Sequence, residues 1–130
     1  MEEPDFISQT PDSSMTPEVM ALSKKVHDAY LTLLCSFGFN AELGRRLYHE
    51  VSQNGIGYIQ AEGSVIMRIG GTTSARLIKA SLEQLQEQVL KAGLLTSAEL
   101  DDFRSLLDNP EYRWLGQTII SVWGRRILAK

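Results

Sequence analysis

The stretch YRWLGQTIISVWGRRI, Tyr112 to Ile127, decides how the rest of the chain is read. It predicts one strand over about residues 113–124, carrying Trp114 and Trp123, with the pair Arg125-Arg126 at its exit. A strand this apolar needs a sheet and a face to lie against. The question is what sheet 130 residues can supply.

At 43% hydrophobic and 22% charged residues, the composition is that of one ordinary globular domain with a single core. The net charge of -3 gives no basic field, which argues against a nucleic-acid partner. Cys35 is the single cysteine, so no internal disulfide forms; it sits in an apolar run and reads as a reduced, buried thiol. A reducing cytoplasm suits it. The start MEEPDFISQT has no apolar leader, and the longest mostly apolar run, Ala29 to Phe39, is about half the ~20 residues of a membrane span.

Residues 1–15, rich in acids, Ser, Thr and Pro, read as a mobile tail ahead of one domain over 16–130. Thr16-Pro17-Glu18 supplies a cap, a helix-opening proline and a first-turn acid. Val19, Leu22, Val26, Tyr30, Leu33 and Phe37 then recur at helical steps over about 17–37, ended by Gly38. Asn40 can cap a second helix over about 41–53, with Leu43, Leu47 and Val51 on one face and Asn54-Gly55 at its end. IGYIQAEGSVIMRI predicts a strand over about 56–69, kinked or bulged at Gly63.

A third helix over about 74–92 carries Ile78, Leu82, Leu85 and Val89 on one face. Thr96-Ser97-Ala98-Glu99 is a capping box, because the Thr96 hydroxyl and the Glu99 carboxylate can each satisfy a free amide. The fourth helix, over about 97–108, buries Leu100, Phe103, Leu106 and Leu107 and stops before Asn109-Pro110. The result is an α+β fold with four helices and two antiparallel strands. Two strands alone are marginal and leave open edges, so the sheet is expected to be completed by association.

Chemistry-bearing patterns are sparse. His27, His49 and Cys35 are too few and too irregular for a zinc site, so no metal is expected. IGGTTSARLIK could cradle an anion on free amides, but it lacks the lysine and spacing of a P-loop and reads as a plain turn before a helix. Alternation places Glu62 with Gln60 and Ser64 on one strand face, either a polar cluster under helices or a solvated surface. Tyr58, Trp114 and Trp123 could line an apolar ligand cavity or fill the core.

Three segments taken together, GRRLYHEVSQNGIGYIQAEGSVIMRIGG, GLLTSAELDDFRSLLDNPEYRW and TIISVWGRRI, resemble the C-terminal part of class I S-adenosylmethionine-dependent methyltransferases of the small-molecule, natural-product kind. The matching positions are Gly44, Arg45, Arg46, Leu47 and Gly55 on the second helix and its end, Ala61 and Glu62 on the strand, and Trp123, Gly124, Arg125 and Arg126 at the terminus. Order and spacing carry the likeness, over about 16–130.

The resemblance implies a helix leading into the sixth strand, a helical lid, and an antiparallel seventh strand that Gly124 breaks. It implies a substrate side on which His27, Tyr30, Met67 and Trp114 face a pocket. No segment supplies the family's glycine-rich turn after a first strand, so the chain alone is expected neither to bind S-adenosylmethionine nor to be active. Partners are then a second copy or a cofactor-binding methyltransferase subunit. Two further readings stay open: a small pocket protein that binds or cyclises an apolar metabolite without cofactor, and a non-catalytic regulatory remnant.

Overall fold

The computed structural model describes residues 1–127. In chain order it runs β1 (Glu2–Asp5), a short 3₁₀ helix (Phe6–Ser8), β2 (Thr10–Pro11), α1 (Pro17–Ser36), α2 (Leu43–Ser52), β3 (Ile56–Ser64), β4 (Met67–Ile69), α3 (Thr73–Lys91), α4 (Ser97–Asp108), β5 (Arg113–Leu115) and β6 (Thr118–Arg126). The class is α+β, with the four helices close to their expected bounds. The last three residues of the domain expected over 16–130 lie outside the described residues.

The sheet differs from expectation. Each of the two long strands is cut in two, at Val65-Ile66 and at Gly116-Gln117, and the pieces belong to separate three-stranded antiparallel sheets, ordered β1-β6-β3 and β2-β5-β4. The chain correspondingly divides into two compact units where one domain was expected. The first comprises Met1–Gln9, Asn40–Ile66 and the run from Gln117; the second comprises Thr10–Phe39 and Met67–Gly116.

The third strand of each sheet comes from the N-terminal segment, whose composition predicts a mobile tail. Glu2–Asp5 pairs with Thr118–Ser121, and Thr10-Pro11 pairs with Trp114-Leu115. The edge that another chain was expected to cover is thus taken by the protein's own first residues. Composition hid this because β1 is an edge strand, where acids and proline are tolerated. Met1 and Val122 exchange both backbone bonds, at 2.8 Å each, so alternation turns the backbone of Glu2 and Pro4 outward. Pro4 therefore forfeits no ladder bond.

In the first unit α2 covers one face of the sheet, burying Leu47 and Val122. Strand β3 is irregular between Gly57 and Gln60, where Tyr58 takes φ 52° and stands almost fully exposed. The bulge thus falls at Tyr58, where the sequence had suggested Gly63.

In the second unit α1, α3 and α4 enclose a core that includes Val26, Tyr30, Leu33, Leu82, Val89, Leu100, Phe103, Leu107, Tyr112 and Trp114. Full burial of each large side chain contributes about 1.5–3 kcal/mol. Thr16 caps α1 and Thr96-Glu99 closes a reciprocal capping box on α4. Cys35 is exposed rather than buried. It sits two residues past Leu33, off the stripe of Val26, Tyr30 and Leu33 that faces the core. No helix among the described residues is long and apolar enough to cross a membrane.

Candidate functional site

The residues that carry the methyltransferase resemblance on the second helix meet the N-terminal strand. A side chain at Gly44 would bring its Cβ within 2.6 Å of the Asp5 amide nitrogen and the Pro4 carbonyl carbon, so only glycine lets α2 lie directly on β1. One residue on, the Arg45 guanidinium forks the Asp5 carboxylate, donating from Nε at 3.1 Å and from Nη2 at 2.9 Å. Two parallel charge-assisted bonds fix both position and orientation. Asp5 is the buried member, and its bond raises the Arg45 pKa further above its already high ordinary value.

The remaining motif positions have separate roles. Leu47 is buried under the sheet, while Arg46 is exposed and pairs with Glu50 at 3.3 Å. Gly55 ends the turn after α2 at φ 69°. Gly124 was expected to break the last strand, yet it lies inside β6: an added Cβ would sit 2.5 Å from Ile56 Cγ2 and 2.8 Å from the Gly57 carbonyl oxygen. Its role is close strand approach beside the bulge. Trp123 is half-exposed, and alternation turns it to the sheet face opposite Val122. Arg125 and Arg126 pair through their backbones with Gly57 and Ile56 and are exposed. Gln60, Ala61, Glu62 and Ser64 are all exposed on β3.

The four residues tied to a substrate by analogy all fall in the second unit. Tyr30 and Trp114 belong to its core. The Tyr30 hydroxyl donates to the Leu82 carbonyl oxygen at 2.8 Å, and burial pushes its pKa up. Trp114 is 2% exposed and stacked on Tyr112 at 5.1 Å, leaving no ring face open. The Tyr112 hydroxyl shares a hydrogen bond with Ser23, and burial raises its pKa against that bond. Met67 is exposed on β4 opposite Leu115, whereas Arg68 is opposite Trp114. Met67 and Trp114 therefore point to opposite faces of their sheet. His27 is half-buried on α1.

The glycine turn before α3 has no amides to spare at its two glycines. Gly70 donates to the Tyr112 carbonyl at 2.9 Å and Gly71 to the Leu107 carbonyl at 2.7 Å. A Cβ at Gly70 would fall 2.0 Å from the Asn109 carbonyl oxygen, so this glycine exists for packing against the end of α4. These two glycine amides are therefore spent on packing the turn against α4 and Tyr112 and are not offered to a ligand. No group of three His, Cys, Asp or Glu among the described residues could hold a metal ion.

One open cleft of about 480 Å³ lies in the first unit, lined by Met1, Glu50, Val51, Asn54, Ile56, Val122, Trp123 and Gly124. Its polar groups are engaged: Glu50 with Arg46, and the Asn54 amide with the Glu50 carbonyl at 2.6 Å. The cleft can hold apolar matter but presents no nucleophile-base pair for chemistry. Sequence reasoning missed the Asp5 fork, although Gly44-Arg45 was singled out; the signal was a glycine-arginine pair on a helix face with no partner assigned. No protein-family model matches the chain, and no curated protein matches it.

Proposed function

We propose that the chain is the substrate-and-lid part of a small-molecule methyltransferase and works in association, with a second copy or with a subunit that binds S-adenosylmethionine. The observation that carries this reading is the order β1-β6-β3. The last strand runs antiparallel between two strands that are parallel to each other, and it is backed by the helix whose Gly44-Arg45 grips β1. A terminal antiparallel strand beside the strand that follows a GRxL-type helix is the arrangement the resemblance implies. In this reading α3 and α4 form the lid, and the chain alone is inactive, since no segment supplies the family's glycine-rich turn after a first strand.

The edges bear on how association occurs. Pro4 and two glutamates blunt the outer edge of β1, whereas β3 carries no proline along its exposed residues 60–64. Strand addition therefore favours β3. Light scattering after size exclusion tests the reading. Self-association gives a mass above 14.5 kDa that falls on dilution, and pairing gives a joint peak with a cofactor-binding methyltransferase half. A 14.5 kDa species from micromolar to millimolar concentration that ignores such a half would overturn it.

A further inference from the structure

We draw no further inference here: the strongest candidate, the open apolar cleft between the end of α2 and β6, carries nothing because its polar rim is already paired and nothing in the structure shows what covers it.

Discussion

The two units are stabilised by different means. In the second, three helices bury an extensive apolar core against strands of only two or three residues. In the first, two nine-residue strands are paired, yet Ala41, Leu47 and Val122 are the only buried apolar side chains among the described residues. There the work falls to backbone pairing, to a helix that approaches a strand through a glycine, and to one charged fork. Core burial is proportional to area and forgiving of detail. Close backbone approach is sensitive to a single added methyl.

The contrast can be attacked from the core outward. Leu100 is fully buried in the second unit, and Leu100→Ala should cost about 2–5 kcal/mol, read as a lowered urea midpoint through Trp114 fluorescence. A shift under about 1 kcal/mol would mean that core burial does not dominate that unit.

Gly44→Ala probes the other unit and should cost about 1–3 kcal/mol, because the new methyl meets β1 backbone rather than a movable side chain. Hydrogen exchange should quicken at the Val122 amide, which donates to Met1, and stay unchanged at α4 amides. Unaltered protection at Val122 would show that α2 does not hold the strand.

Arg45→Lys keeps the charge and loses the fork. It should quicken exchange at Val122 by less than the glycine change does, since the guanidinium is partly in solvent. An effect larger than that of Gly44→Ala would move the main restraint from backbone fit to charge.

Acid provides the gentlest test. Lys25, and then the Thr96 amide, hold the Glu99 carboxyl below its usual range; the Ser14 amide, and then Arg113, do the same for Asp12. Both folded values lie below the unfolded ones. The stability they bring is therefore present above the unfolded values and lost as pH falls through the folded ones. Glu99→Gln should flatten part of the second unit's acid sensitivity below pH 4.5, followed by Trp114 fluorescence. An unchanged acid profile would remove Glu99 from the account.

The helices were readable because their signals are local: Thr16-Pro17, the Thr96-Glu99 box and Asn109-Pro110 each act within a turn or two. The strands were harder. An apolar run marks Tyr112–Ile127 as extended, but nothing local says that Gly116-Gln117 leaves one sheet and enters the next. Glu2–Asp5 is a strand only because Thr118–Ser121 and Gly44-Arg45, both far away in sequence, accept it. Candidate site residues suffered the same limit. Trp114 and Tyr30 are aromatic, which fits a pocket or a core equally, and only stacking on Tyr112 and the bond to Leu82 place them inside. The Gly70-Gly71 turn was legible as a turn, while the carbonyls that consume its amides, on Tyr112 and Leu107, were not.

Whether the chain needs a partner to bind S-adenosylmethionine is decided by titration calorimetry of the purified chain with that cofactor. No saturable heat is expected for the chain alone, because the proposed reading assigns S-adenosylmethionine binding to a partner subunit and both glycines of the turn before α3 spend their amides on Tyr112 and Leu107. Saturable one-to-one binding by the isolated chain would contradict that reading.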